Sequence, residues 1–515
     1  MKLSPVFEDL NAEVILKHTR ELVAKNKTDP LPHSQILHQM LQQFEPLDFE
    51  LLAFPRVEKL RHKLRQQNDP ESEESKTLRK ELDKVKVTIK HYLVLSVENV
   101  LSVASKNRWG LCKNHDFIYL YNGAFWIETD PEVFQKFLGE ASEQMGVPVF
   151  SARFYQFREQ LFKQFIATAY LPMPQDNNDT VLINLKNGTF EISPRDTGTN
   201  ISLRPFDPAD FITYQLPFEY NPEAKAPLFE TYLNKVLPDK ERQRILAEYL
   251  GFVFIKHGNN ALKEEKALIL YGTGANGKSV FFEVVNALLG TENVSNYSLQ
   301  SLTNDNGYFR AKMANKLVNY ASEINGKLET DVFKQLVSGE PVEARLPYGQ
   351  PFILKQYAKL IFNCNELPKD VEHTNAYFRR FLIIPFDVTI PEHEQDKQLH
   401  TKIIEKELSG VFNWVLDGLN RLLVQGRFSN CESSKNAVEK YRKESDSVLM
   451  FLDETDYSIS NDSYMPLKDL FGEYRYYCHE SGFKHCSLKT FAERLRNTGF
   501  ETCRRKYGTA IGVEK

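Results

Sequence analysis

The 515-residue chain has only six cysteines and three tryptophans. Six thiols over that length do not make a disulfide framework, so a packed core must hold the fold, and a reducing compartment is expected. Charge of one sign is not in excess either. Lys and Arg number 65 and Asp and Glu 69, a formal net charge of −4. The overall field therefore cannot draw nucleic acid, and any such contact must come from local patches. No uninterrupted apolar run approaches a bilayer span, and the opening MKLSPVFEDLNAEVILKHTR has acids where a secretory leader has its apolar core. A soluble, cytoplasmic protein with no membrane partner is expected. No repeat at solenoid period is present. The length exceeds what one core supports, so roughly two to four domains are expected.

The spacing of apolar residues divides the chain. Residues 1–105 read as helical. VEKLRHKLRQQ and SKTLRKELDKVKVTIKHYL step at three and four residues and predict two antiparallel helices joined through NDPESEES, a solvated hairpin without chemistry of its own. Residues 106–256 mix strand and helix patterns. DFIYLYNGAFWIET and VLINLKNGTFEISP predict hairpins at Asn122-Gly123 and Asn187-Gly188. Residues 257–430 alternate apolar strands and helices, as in an α/β nucleotide-binding domain, with a closing helix stopped by Gly426. A polar link around SISNDS leads into a last compact domain within residues 440–515.

Within the third region, Gly272, Thr273, Gly274, Ala275, Asn276, Gly277, Lys278 and Ser279 spell G-x-x-x-x-G-K-[ST] between an apolar strand, KALILY, and a helix, SVFFEVVNALLG. A tight turn there aims backbone N–H groups at phosphate oxygens, and side chains would obstruct the approach. Lys278 has the reach for β- and γ-phosphates. Ser279 offers a hydroxyl to Mg²⁺, and the helix adds its positive end. The bland alternative is a structural turn.

A phosphate loop alone does not separate kinases, switches and motors. Motor ATPases need an acid at the end of a neighbouring strand, and Glu323 ends the run in KLVNYASEI, placed to orient water or hold Mg²⁺ through water. KLIFNCNELP ends in Asn365, an amide for the γ-phosphate or a turn-former before Pro368. NAYFRRFLIIPF sets Arg379 and Arg380 before a buried run. Such a pair needs a negative partner, either a neighbour's γ-phosphate or a carboxylate of the same subunit. Lys334, Arg345 and Lys355 with Tyr348 lie around PYGQ, which predicts a protruding basic and aromatic hairpin suited to a single strand of DNA, or simply a solvated surface.

Taken in order, GTGANGKS, NYASEI, KQLVSGEPVEAR, FNCNELP and FRRFLIIPF resemble the superfamily 3 helicases, in particular the ATPase module of phage, plasmid and poxvirus primase–helicases. The likeness runs from about Asn107 to Gly426, through INLKNGTFEISP and LPFEYNPEAKAPLFETYLNKVLPDKE. It implies an α/β P-loop ATPase core of the AAA+-like, superfamily 3 kind, after a helical and α+β N-terminal region and before a C-terminal winged-helix domain. It implies ATP and Mg²⁺ as cofactors, and a homo-oligomeric ring, a hexamer, moving 3′ to 5′ on single-stranded and forked DNA. Carried over, Lys278 and Ser279 bind nucleotide and Mg²⁺, Glu323 is the acid, Asn365 the sensor, and Arg380 with Arg379 the finger. The hairpin from Arg345 to Lys355 becomes the DNA-gripping loop. Two departures stand out. Ser322 precedes Glu323 where some members carry a second acid. The helical stretch before Asn107 holds no paired-carboxylate or metal-ligand cluster, so primer synthesis is not expected, although a separate primase is an expected partner.

The last segment reads as helix, turn, helix and hairpin, with Ser487 as an N-cap and Gly499 as a stop. That is a winged-helix pattern, and Lys489, Arg494, Arg504 and Arg505 supply the local positive charge that the whole chain lacks. Duplex binding and a protein-capping role are both open. Cys478, His479, His485, Cys486 and Cys503 fit no usual zinc spacing. Three functions compete. A replicative helicase of a mobile element, phage or plasmid predicts DNA-stimulated hydrolysis. An origin-binding assembly factor predicts tight DNA binding without turnover. A small-molecule kinase leaves the arginine pair and the C-terminal domain without a task.

Overall fold

The computed structural model describes residues 30–67, 69–114, 117–169, 179–195, 198–260, 262–322, 324, 329–347, 349–368, 372–506 and 508–515. These form two compact units, one holding most of the chain up to Glu219 and one running from Tyr220 to Lys515.

The first unit opens with helices α1 (His33–Leu41), α2 (Phe49–Ala53), α3 (Arg56–Gln66), α4 (Glu73–Asp83) and α5 (Ile89–Lys106). The expected helical pair is present as α3 and α4, with the Ser72 hydroxyl accepting from Ser75 N at the start of α4. The second run does not continue as one helix. It breaks at residues 84–88, where the Thr88 N–H donates to His91 Nδ1 at 3.1 Å and caps α5. Val85 and Val87 lie in the break, and β-branched residues hold a helix less well than the Lys and Leu around them.

Strands β1 (Gly110–Asn114), β2 (Phe117–Tyr121) and β3 (Trp126–Thr129) form an antiparallel sheet. The hairpin at Asn122-Gly123 forms with a wider turn than Asn-Gly predicts. The Asn122 side chain accepts from both Ala124 N and Phe125 N at 3.0 Å. Helices α6 (Pro131–Gln144), α7 (Val149–Arg153) and α8 (Tyr155–Thr168) follow. Phe134, Phe137, Leu161 and Phe165 pack with Val97 and Val100 of α5 in one core. A second three-stranded sheet, β4 (Val181–Leu185), β5 (Gly188–Arg195) and β6 (Gly198–Arg204), closes the unit. Asn184 Nδ2 donates to the Ala124 carbonyl at 2.7 Å and so ties β4 to the first hairpin.

The second unit begins with α9 (Pro227–Val236) and α10 (Lys240–Phe252). Strand β7 (Ala267–Tyr271) and helix α11 (Lys278–Leu289) enclose the glycine loop. Then come β8 (Val294–Ser295), α12 (Leu299–Thr303), α13 (Tyr308–Ala311), β9 (Val318–Ala321) and α14 (Thr330–Ser338). They are followed by β10 (Val342–Arg345), β11 (Pro351–Leu354), β12 (Lys359–Cys364), α15 (Asn375–Phe378), β13 (Phe381–Pro385) and the long α16 (Leu399–Gln425). Five strands make one parallel sheet in the order β13-β7-β12-β9-β8. Its central strands are buried apolar runs, as a sheet covered on both faces requires. The expected neighbour relation shifts by one place. β12 lies beside β7, and β9 lies beyond it, because crossover connections let a later strand insert between earlier ones. Helices α10 and α16 meet where Gly418 and Gly251 leave no room for a Cβ: one on Gly418 would lie 2.3 Å from the Ala247 carbonyl carbon.

Helices α17 (Glu432–Ser445) and α18 (Ser447–Glu454) lead to β14 (Ser458–Pro466), α19 (Leu467–Glu480), α20 (Leu488–Asn497), β15 (Thr502–Arg505) and β16 (Gly508–Glu514). The segment expected as a polar link is strand β14, paired with β16 through a register shift between Ile459 and Tyr464. Its polarity reflects that irregularity, where Ser460 Oγ accepts from Ser463 N at 3.1 Å. Ser487 caps α20 by accepting from Thr490 N, and Gly499 follows it with φ +94°.

At the N-terminal end of β12, Lys359 is buried. Its ammonium lies 3.0 Å from His257 Nδ1 and 4.3 Å from the centre of the Phe252 ring. His257 Nε2 faces the Tyr357 carbonyl at 3.1 Å, which leaves Nδ1 to accept from the lysine. Burial pulls Lys359 down to about 7. The folded value lies below the unfolded one, so from about 7 up to the ordinary lysine value only the unfolded chain holds the proton, and stability rises with pH there. Replacing Lys359 by Met is expected to remove about 1.4 kcal/mol per pH unit of that rise between pH 7 and 8.5. Urea unfolding of the full chain, wild type against Lys359→Met, across those pH values measures the difference.

Candidate functional site

The parallel sheet gathers the C-terminal ends of its strands along one edge. Tyr271 is in register with both Cys364 and Pro385. The segments leaving those strands therefore meet: the glycine loop after β7, Asn365 after β12 and Phe386 after β13. The loop needs its glycines individually. A Cβ on Gly272 would lie 2.1 Å from Asn276 Nδ2 and 2.6 Å from the Phe386 carbonyl oxygen. Gly277 takes φ +85°, and a Cβ there would meet Val236 Cγ1 at 2.6 Å. Hydrogen bonds from outside fix the loop. Tyr232 of α9 donates to the Gly277 carbonyl at 2.8 Å, Asn276 Nδ2 to the Phe386 carbonyl at 3.1 Å, and the Ile390 N–H to the Ala275 carbonyl at 2.8 Å.

Lys278 opens α11 with its side chain buried and folded back over the loop. Its ammonium donates to the Gly272 carbonyl at 2.6 Å, Asn276 Oδ1 at 3.2 Å and Asn365 Oδ1 at 3.3 Å. Burial lowers its pKa. Burial raises the Cys364 thiol to about 12, so it stays protonated. One cation thus sits among three oxygens at the first turn of a helix whose leading N–H groups have no partner within the helix. Ser279 is exposed in that same turn, as are Thr273 and Ala275 in the loop. The geometry suits an anion over the loop, bound by N–H groups, one ammonium and one hydroxyl.

The structure brings Lys278 and Asn365 together, with the exposed Ser279 close by. Glu323 lies outside the described residues; Ser322, just after β9, is exposed. Arg379 and Arg380 lie elsewhere, before Phe381, which is in register with Ala267 at the start of β7. That end of the sheet is about 16 Å from the loop, five residues at about 3.3 Å each. Both arginines meet Glu265 of the same chain, at 2.9 Å from Arg379 and 3.1 Å from Arg380.

The basic hairpin is β10 with β11, antiparallel, with Arg345 opposite Pro351; Tyr348 lies outside the described residues. Arg345 is exposed and faces the Tyr308 ring at 5.6 Å, and Lys355 is exposed just after β11. Lys334 is on α14 instead, bound to Glu372 at 2.7 Å and Asp331 at 3.1 Å, so its charge is balanced locally. In the C-terminal domain Lys489 and Arg504 are exposed, and Arg505 stacks on Tyr464 at 4.2 Å. Arg494 is engaged with Asp446 at 3.1 Å. Among the described residues no three of His, Cys, Asp or Glu gather as a metal site, and no helix is long and apolar enough to cross a membrane.

Sequence reasoning passed over four residues that shape these sites. Tyr232 left no local signal, since it acts from a helix 45 residues upstream. Glu265 was visible as an acid before an apolar strand, but its partners were not. Arg310 is buried beneath the hairpin, donating to the Glu343 carbonyl at 2.8 Å and the Leu302 carbonyl at 3.1 Å. Cys364 read only as the end of a strand.

Residues 104–238 match a family described as D5 N terminal like, and residues 270–380 match a family of unknown function, DUF5906. The chain is 27% identical over 270 residues to Putative helicase L207/L206 of Acanthamoeba polyphaga mimivirus, covering 49% of this chain and 26% of that protein. It is 22% identical over 369 residues to Putative helicase 121R of Invertebrate iridescent virus 3, covering 62% of this chain and 38% of that protein. The chain therefore spans well under half the length of these relatives. Among solved structures, the apo NrS-1 C terminal region (305–718) aligns with 82% of this chain and 98% of its own at 14% identity, with a TM-score of 0.45. A form A apo structure of the same region gives 0.44.

Gly277 and Gly426 both have positive φ, +85° and +64°, but only Gly277 faces close neighbours. Gly277→Ala is expected to destabilise by about 2–5 kcal/mol, from left-handed strain plus overpacking against Val236. Gly426→Ala, with open space around its Cβ, is expected to lose only about 1 kcal/mol. Denaturant melts of the two variants in parallel test the difference.

Proposed function

We propose that this chain is an ATP-driven DNA helicase of a viral or other mobile-element replication system, acting as a ring on one DNA strand. The observation that carries the reading is the contact of Lys278 with Asn365 over a loop that excludes side chains, joining two strand ends at one anion-suited edge. The matched relatives, from a mimivirus and an iridescent virus, carry the name Putative helicase, and the D5 N terminal like match covers the region before the glycine loop.

In this reading residues 272–279 form a phosphate loop for ATP. Gly272 and Gly277 keep the cradle clear, Lys278 exchanges its present oxygens for β- and γ-phosphate oxygens, and Ser279 with Glu323 holds Mg²⁺. Mg²⁺ supplies charge neutralisation between the phosphates when bound. Asn365 reports or orients the γ-phosphate. Arg379 and Arg380 lie too far from their own loop to act there, so the segment that bears them supplies a cation to the nucleotide of an adjacent copy. A head-to-tail interface of that kind closes into a ring, and a hexamer moving 3′ to 5′ is the arrangement the resemblance implies. Arg345 and Lys355 on the β10–β11 hairpin meet single-stranded DNA. Residues 447–515, three helices and a three-stranded sheet, act as a winged-helix domain with Lys489, Arg504 and Arg505 towards duplex. The other reading kept is an origin-binding assembly factor in which nucleotide binding builds the ring without unwinding.

Lys278→Ala is expected to abolish ATP hydrolysis, and Asn365→Ala to lower its rate by about 10²-fold or more while nucleotide still binds. Fork unwinding with either tail polarity, run beside hydrolysis with and without single-stranded DNA, separates the two readings. Hydrolysis that DNA does not stimulate, with no strand separation on any fork, would leave the assembly factor standing. For the DNA surface, Arg345→Ala and Lys355→Ala together are expected to flatten the slope of log affinity against log salt by about 1.4, at about 0.7 per single-strand phosphate contact. An unchanged slope places the strand elsewhere.

A further inference from the structure

Arg379 and Arg380 are adjacent in sequence but differ in what holds them. Arg380 is 8% exposed, and its guanidinium is spent within the chain. It donates to Ser338 Oγ at 2.8 Å and 3.3 Å and to the Ala376 carbonyl, and lies 3.1 Å from Glu265. Pulling it out would strand a carboxylate, a hydroxyl and a carbonyl that are only partly open to water. Arg379 is 62% exposed, and its one ion-pair partner among the described residues is Glu265. The backbone beneath both is pinned to β7. Lys266 Nζ donates to the Arg379 carbonyl at 2.5 Å, and Ala267 N donates to the Arg380 carbonyl at 2.8 Å. The backbone of both residues is held, and only the Arg379 head reaches solvent.

We propose that Arg379, not Arg380, is the cation this chain presents to the nucleotide of a neighbouring copy, and that Glu265 is the positioning residue that aims it. This rests on the ring reading above and names the division of labour within it. The charge arrangement explains why two arginines share one carboxylate. Glu265 holds Arg379 outward in the waiting state. When a phosphate with greater charge comes within reach, Arg379 changes partners. Arg380 stays 3.1 Å from Glu265, so the exchange does not leave that carboxylate unpaired. Arg380 is then the standing counter-ion and structural anchor, and Ser338 its support.

The test is complementation in mixed assemblies of the full chain. Arg379→Ala is expected to keep its melting temperature and nucleotide affinity and to lose hydrolysis by about 10³-fold or more. Mixed with Lys278→Ala subunits, which retain Arg379, it is expected to regain hydrolysis. Arg380→Ala is expected to lower the melting temperature. If that variant does not fold, Ser338→Ala, which loosens Arg380 alone, is used and is expected to retain at least half of the wild-type rate. Glu265→Gln is expected to lower kcat with KM for ATP unchanged. It should be rescued by Lys278→Ala subunits but not by Arg379→Ala subunits, since neither of the latter pair aims a cation across the interface. Glu265→Asp should recover part of the rate. A purely structural role for Glu265 would give the same outcome with both partners. Full activity in Arg379→Ala, or a folded Arg380 or Ser338 variant that behaves as Arg379→Ala should, overturns the assignment. Failure of the ring reading looks different: no pair of variants would then complement at any mixing ratio, Lys278→Ala would hydrolyse ATP as well as wild type, or the wild type would hydrolyse none.

Discussion

Parallel alignment of five strands, with the central ones buried on both faces, is the constraint from which the rest of the second unit follows. Parallel neighbours share the direction of their ends, so everything leaving β7, β12 and β13 arrives at one edge and everything entering arrives at the other. Lys278 and Asn365 meet because both follow strand ends in register with Tyr271. For the same reason the arginine pair, entering β13, is held away from them. The separation is no accident of loop conformation. Bringing the two together within one chain would require reversing β13 against β7, which would break the parallel ladder from Phe381–Ala267 to Pro385–Tyr271. In the ring reading proposed above, cations from the far end reach the glycine loop of another copy.

The second unit buries several charges, and each is handled by fixed local partners. Glu248 is fully buried between Arg421 at 2.6 Å and the Ser429 N–H at 2.8 Å, which clasps α10 to the end of α16. Glu407 accepts from Leu228 N and Phe229 N and so caps the N-terminus of α9, the helix that carries Tyr232 to the glycine loop. Carboxylates at such sites favour the helix end by hydrogen bonds and by its dipole. A chain of support thus runs from α16 through α9 to Gly277. Lys278 differs from these ions in kind. Two of its three acceptors are amide oxygens and one is a carbonyl, all neutral, so its charge is solvated but uncompensated. An anion gains more at such a cation than at one already paired with a carboxylate.

Much of this was legible in the sequence, for physical reasons that differ from one element to another. The glycine loop could be read because its demands fall on consecutive residues: φ above zero, no side chain, a helix start. The strands carrying Asn365 and Arg380 could be read because a doubly covered strand is continuously apolar. Strand order could not, since apolarity says nothing of which strands touch, and β12 intervened between β7 and β9. Strand β14 was missed because its irregular middle, residues 460–463, is polar, and the period of two fails there. Lys334 and Arg494 read as contributors to basic patches, yet Glu372 and Asp446 compensate them. Those partners lie 38 and 48 residues away, beyond the reach of any local pattern. The same limit hid the difference between Arg379 and Arg380, which depends on Ser338 and Glu265.

The segment bearing the arginines is also gripped from its other side. Tyr441 of α17 packs edge-on against Phe378 and Phe381, and its hydroxyl lies 3.4 Å from that of Tyr377. Arg442 donates to Asn375 at 3.3 Å. Where α17 gives way to α18, buried Asp446 caps α18 through Val448 N at 2.8 Å, faces His373 at 3.7 Å and binds Arg494 of α20 at 3.1 Å. The arginine mount is therefore held to β7 on one side and to α17 on the other, and Asp446 at the end of α17 also binds Arg494 of the helix that follows Ser487. A shift of α20 must either carry Asp446 with it or break a largely buried ion pair, and breaking such a pair is strongly unfavourable. Moving together is the less costly response.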